Sequence, residues 1–456
     1  NFRNVSQFHN PYGNGQLNLG WTKTLKKPEQ EFSLLSQYSR MPDNYFYTTD
    51  RITPDEVIIF REKSTNYSRN KEYTFQADYV HPFRLTTARD TSVLKLEVGS
   101  KAILRNIGSE VRVEQSLNGK DDLIEDSSQA NDFTYTQRVY SGYTSLRWSN
   151  KAKWNINAGA RLEHTEINGS FLTTGTSLHN HYSNLIPSFL LSKGIKACTF
   201  KIAYTQRITR PLIWYLNPWI NRSDPKNLTT GTPTLNPEIN HATELSHSLS
   251  TAGGTTLNTS FYWRMTDNAI EYVSRADTAG VSINQPRNIA RRSVLGLNIN
   301  LSAKPNKNWN LNASTDVRHM DVSSPAMLQH NSGFVWNVNL NTTYKLPKDN
   351  SIQVFAGVNS GWLTLQRSAT SAWYWYGLSA KHLLKKDKGS ITLNMNNPFT
   401  RGIRQENIEE APSFYTRNSS LYVNQSFRLT FEWRFGQLSA EGGKKGKKIT
   451  NDDSGR

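Results

Sequence analysis

Apolar and polar residues alternate one by one along most of this chain, and no apolar run of about 18 residues interrupts them. A period of two puts successive side chains on opposite faces of a strand, so each such segment has one greasy face and one wet face. The stretch FRLTFEWRFG (427–436) is the plainest case. Phe427, Leu429, Phe431, Trp433 and Phe435 alternate with Arg428, Thr430, Glu432 and Arg434, and Gly436 ends the pattern. Similar alternation runs through 153–163, 294–302 and 336–344, where Asn is the usual polar partner. Helical periodicity longer than about three turns is missing, so the chain reads as all-β, and transmembrane helices are excluded.

Two solvents suit such strands. In a soluble sandwich the apolar faces meet in a core; in a membrane barrel they meet lipid while the polar faces line a lumen. The connections decide between them. Short ones (149–153, 193–197, 252–255, 304–308, 346–350, 385–389) alternate with long ones near 42–72, 106–131, 165–181, 208–240, 268–290, 319–332 and 398–424. Tight turns at one end and long loops at the other are the layout of an outer-membrane barrel. Trp154 and Trp309 follow short turns, and Tyr344 and Trp433 sit near the same end, as an interfacial girdle requires.

About 17 strands can be marked, near 15–25, 31–41, 73–83, 93–105, 132–147, 153–164, 182–192, 198–207, 241–251, 255–267, 291–303, 308–318, 333–345, 351–364, 371–384, 389–397 and 426–436. The first and last then run in the same direction, whereas a single-chain bacterial barrel has an even strand number. The expectation is a transmembrane antiparallel β-barrel over 1–436 whose wall lacks an odd number of strands, with the Gly- and Lys-rich segment 437–456 a disordered periplasmic tail. The absence of an initial Met and of a signal peptide is read as processing or truncation.

The chain carries a net charge of +17. Its basic residues are spread along the length, with no nucleic-acid-binding motif beside them, so nucleic acid is not an expected partner. A basic lumen, or loops meeting lipopolysaccharide phosphates, accounts for the charge. The one cysteine, Cys198, forbids an intramolecular disulfide. No nucleophile elbow, zinc-protease motif or phosphate-binding loop occurs, so no catalytic residue, metal or cofactor is expected. His179 and His181 read as solvated loop residues, and the acidic run 120–126 lacks calcium-loop spacing.

The segment YTQRITRPLIWYLNPWINRSDPKNLTTGTPTLNPE (204–238) resembles the β-barrel of TonB-dependent receptors, especially the receptor-like barrels of Bacteroidota. Arg207, Arg210, Pro211, Asn217, Pro218, Gly231, Pro233, Leu235, Pro237 and Glu238 match the pattern; Thr232 and Asn236 depart from its usual Asn and Lys. Further likeness lies in 76–83, 157–165, 184–192, 397–399 and the closing residues. The resemblance implies a 22-stranded barrel of which this chain holds strands 6–22, with a plug and TonB-contacting segment upstream. It implies a Gram-negative outer-membrane receptor that takes up a scarce nutrient (siderophore, glycan or peptide) through a plug-gated lumen. The implied partners are outer-membrane lipid and lipopolysaccharide, the TonB complex, and a surface lipoprotein.

Within 208–240 and its flanks, Arg207, Arg210, Trp214, Tyr215, Trp219 and Arg222 are the candidate ligand-binding residues. Arginine forks recognise carboxylate or phosphate, and flat aromatics stack on sugars or catecholate rings. The competing reading is structural: Pro211, Pro218, Pro225, Pro233 and Pro237 brace a folded loop and the arginines pair inside the lumen. Two other functions compete with transport, a scaffold barrel of a surface complex and a secreted lectin-like binder.

Overall fold

The computed structural model describes residues 2–11, 13–42, 44–86, 91–120, 122–221, 227–276, 280–369, 371–384, 388–411, 414–435, 449 and 451. Among these the chain is almost entirely β, with one four-residue helix, Ile213–Leu216, and one 3-10 turn, Pro325–Met327. No helix is long and apolar enough to cross a membrane.

The main sheet has 21 strands. Four of them, Arg3–His9, Tyr45–Ile52, Ile124–Glu125 and Asn227–Thr229, lie at the loop-bearing end, leaving seventeen that make the wall. Apart from the three-stranded excursion near the end, each wall strand pairs antiparallel with the next, from Gly15–Thr24 and Glu31–Arg40 through to Gly389–Asn396 and Ser426–Trp433. These seventeen are the segments marked from alternation, but several run much further. Ile58–Thr86 pairs with Thr91–Ser116, and Thr256–Ala276 with Ser282–Asn306, so parts of the expected loops at 42–72, 106–131 and 268–290 are strand. Beyond the bilayer both faces meet water, so the ladder continues without a hydrophobic period to announce it. A separate sheet of Arg367–Ala369, Gly402–Ala411 and Phe414–Val423 occupies much of the last long connection.

Register sorts the faces. Phe261, Leu297, Val317 and Trp336 lie in one row across four neighbouring strands, and all are exposed. The adjacent row of the other face carries Asn298, Asp316 and Asn337; Asp316 there accepts hydrogen bonds from the Tyr262 hydroxyl (2.8 Å) and Arg318 Nη1 (2.8 Å). Burial agrees with an inner concave face: Ser33, Thr74 and Thr165 are fully covered although polar. In the last strand Phe427, Leu429 and Phe431 share the outer face with Met395, Leu393 and Ile391, while Arg428 and Glu432 face inward with Asn394 and Ser390. Near the turn end Trp309 and Tyr344 are direct cross-strand partners, and Lys193 Nζ lies 4.7 Å from the Trp154 ring centroid.

The two edge strands do not pair with each other among the described residues. Leu19, Phe427, Leu429 and Phe431 are 61–73% exposed, against 40% for Leu297 and 42% for Val338 inside the wall, because one flank of each edge lacks a neighbour. Both edges run toward the turn end, so they have the wrong relative direction for an antiparallel seam. Most of the expected tail, 437–456, lies outside the described residues. Of the two tail residues described, Ile449 is buried, and Asn451 donates to Glu72 Oε1 (2.5 Å) and Thr74 Oγ1 (3.0 Å) on the inner face.

Candidate functional site

The strand Cys198–Thr209 stops where Pro211 removes a backbone donor, and the chain turns inward instead of out to solvent. The helix Ile213–Leu216 follows; Leu216 and Leu235 pack against Tyr135, Ile167, Phe171 and Leu178 of the wall. Arg210 locks the entry to this loop. Its Nη2 donates to Glu163 Oε2 (2.6 Å) and to Thr165 Oγ1 (2.9 Å), with all three side chains buried. Glu163 also receives Arg161 Nη2 at 2.7 Å, so one carboxylate serves two guanidinium groups.

Gly231 closes the loop. Its N–H donates to Asn217 O (2.8 Å), and Thr232 N–H donates to Tyr215 O (2.6 Å). A Cβ on Gly231 would sit 2.4 Å from Asn217 O and 2.7 Å from Tyr215 O, both rigid backbone atoms. Gly231→Ala is therefore expected to spring this crossing open and cost about 2–4 kcal/mol of loop stability, read as faster proteolysis within 210–237 while the wall stays folded. Unchanged proteolysis would show that the crossing is not needed.

The loop is also stitched to the hairpin beside it. Asn227–Thr229 adds a short parallel strand to Ser282–Asn284, Thr232 Oγ1 donates to Pro286 O (2.7 Å), and Ile270 N–H donates to Glu238 Oε1 (2.7 Å). Burial pushes the Glu238 carboxyl up from its ordinary range, an effect that this backbone hydrogen bond opposes. Burial likewise raises the Tyr215 hydroxyl, whose ring stands edge-on to Tyr272 at 5.5 Å.

A cleft of about 400 Å³ remains between this loop and the opposite inner wall. The loop contributes Trp214, Trp219 and Asn217, and the wall contributes Asn66, Asn131 and Gln137. On the wall side Arg105 pairs with Glu72 and donates to Gln137 Oε1 (2.7 Å). Asn131 Oδ1 is buried and takes no hydrogen bond, which leaves an acceptor open to a bound donor.

Trp214, Trp219 and Arg210 therefore meet in one cleft. Tyr215 is turned to Tyr272, and Arg207 lies on the wall opposite Asn240 beside a separate small cavity that Arg161 and Glu163 also line. Arg222 and Pro225 lie outside the described residues. The polar wall residues Glu72, Arg105, Asn131 and Gln137 had no local sequence signal, since they look like any other inward position of a strand. No group of three or more metal-ligating side chains gathers among the described residues.

The model of the "Outer membrane protein beta-barrel family" matches residues 23–433. No curated protein sequence matches the chain. Among solved structures, the FpvAI–pyocin S2 complex is similar with a TM-score of 0.58 at 13% identity, over 89% of this chain and 54% of that one. The siderophore receptor PiuA of Acinetobacter baumannii gives 0.58 at 12% identity, over 91% and 66%. The unliganded ferric citrate transporter FecA gives 0.56 at 11% identity, over 88% and 60%. At these identities the likeness is one of fold, and the chain spans about half to two-thirds of those proteins.

Proposed function

Because the chain belongs to the outer membrane protein β-barrel family, and so crosses the outer membrane with its strands, we propose that it forms the wall and ligand cleft of a TonB-dependent uptake receptor. The long-loop end faces outward and the tight turns face the periplasm. A scarce nutrient (a siderophore, glycan or peptide) enters from the loop end and is held between Trp214, Trp219 and the polar wall at Arg105, Asn131 and Gln137. The observation that carries this reading is the inward loop: a segment stitched to the wall by backbone hydrogen bonds presents two indole faces to a polar cleft within the barrel mouth. No catalytic step is assigned to it. The unpaired, parallel edges support a wall completed by an odd number of further strands, around a plug that contacts the TonB complex. A scaffold barrel in a surface complex with a lipoprotein is the second reading, and the same open edges would then take strands from another chain.

The test uses the full-length receptor in intact cells, supplied in turn with labelled ferric siderophores, oligosaccharides and peptides. One class should enter in a way that depends on this barrel, and Trp214→Ala with Trp219→Ala should lower that uptake about tenfold at unchanged surface level. If no class depends on the barrel, the scaffold reading replaces transport. Thiol labelling from outside should mark cysteines placed at 214 or 219 and miss one at 307; the reverse would invert the orientation.

A further inference from the structure

We propose that the outward face of the wall between Glu31–Arg40 and Asn131–Asn150 binds a phosphorylated, multi-acyl glycolipid of the outer leaflet, with a phosphate at Arg40 and Lys71 and acyl chains in a groove below them. The proposal rests on the orientation given above, with the long loops outside.

Arg40 and Lys71 are direct cross-strand partners, and both are exposed. Like charges placed opposite each other destabilise a strand pair, and neither residue forms an ion pair among the described residues. Positive charge continues around them. Arg69, one outward position further up, reaches only Glu110 at 3.7 Å, and Arg138 faces Glu166 across its strand pair. An anion with several oxygens would relieve the repulsion and accept from both side chains.

The next outward row toward the turns is Tyr38 and Tyr73, with ring centroids 5.0 Å apart, the kind of aromatic pair that marks a membrane interface. Below it the wall is hollowed. Ala77, Ser100 and Gly142 are consecutive partners in one row, with Ala102 beside them, and these small side chains floor a groove of about 860 Å³. Trp21, Phe75, Tyr140 and Leu162 rise around it. A Cβ on Gly142 would meet nothing within 4 Å, so the space is open to the bilayer.

The vertical order is cations, aromatics, then an apolar hollow. The hollow begins at Phe75, roughly 13 Å along the strand from Lys71, which is the depth at which acyl chains leave a phosphorylated sugar head group. A partner helix would fill the hollow without needing an anion above it. A free phosphate would need no hollow. A phosphorylated glycolipid uses both.

The experiment adds bisphosphorylated lipid A to the delipidated full-length receptor in mild detergent and counts bound lipid by native mass spectrometry. Arg40→Thr with Lys71→Thr should lower occupancy roughly tenfold or more. Gly142→Leu, which fills the hollow and leaves the charges alone, should lower it as well. Both variants should keep the heat-modifiable gel shift of a folded barrel. Occupancy equal to wild type in both variants would overturn the proposal, and so would equal binding of phosphate-free lipid A. Equal binding of phosphatidylglycerol would overturn the assignment to the outer-leaflet glycolipid. A wrong orientation would show separately, in the thiol labelling of intact cells.

Discussion

Arg210→Met is expected to cost about 3 kcal/mol, read as a lower denaturant midpoint of the loop-wall unit in detergent and as rapid cleavage within 210–237. Removing one partner of a buried ion pair leaves the other desolvated and uncompensated. Here Glu163 would keep only Arg161, and Thr165 would lose its donor. That retained contact places the loss at the lower end of the range for buried pairs. Arg210→Lys should recover part of it, because one ammonium can reach Glu163 but cannot also offer the guanidinium's second branch to Thr165. Replacing Glu163 by Gln together with Arg210→Met should cost less than the sum of the two single changes, since the two residues share one interaction. A midpoint unchanged in Arg210→Met would mean that the inward loop is held by its apolar packing and backbone hydrogen bonds alone.

The second large effect separates the faces of the wall. Leu297→Arg or Val338→Arg puts a guanidinium into hydrocarbon at about 2–4 kcal/mol near the midplane, and the folded fraction recovered from outer membranes should fall several-fold. Asn298→Arg and Asn339→Arg, one residue further along the same strands, enter the wet lumen and should assemble nearly as wild type. Both pairs occupy long, fully paired strands, so strand propensity is matched and only the solvent differs. Equal losses on both faces would show that the two faces meet the same environment.

Where a segment crosses the membrane, its sequence announces it, because lipid on one face and water on the other impose a period of two. All seventeen wall strands were legible on that basis. Their extensions were not: along Ser109–Ser116 and Arg61–Tyr67 both faces are wet, and cross-strand pairs such as Arg61 with Asp50 (2.7 Å) replace hydrophobic period as the organising force. The candidate site was half legible. Pro211, Gly231 and Glu238 stand out because turns, close backbone approach and a capped strand end demand those residue types. The inward direction of the loop depends on Leu216 and Leu235 finding Phe171 and Leu178, a long-range match that no local pattern encodes. For the same reason Arg210 read equally well as a ligand fork or a brace; its partner Glu163 sits 47 positions away in sequence.

The most direct test of the whole account is a cysteine scan of residues 295–301 in a Cys198→Ser background, with the full-length protein in membranes and a water-soluble thiol reagent. The account predicts labelling at 296, 298 and 300, which face the lumen, and protection at 295, 297, 299 and 301, which face lipid. Uniform labelling at all seven positions, or protection at the even ones, would contradict it.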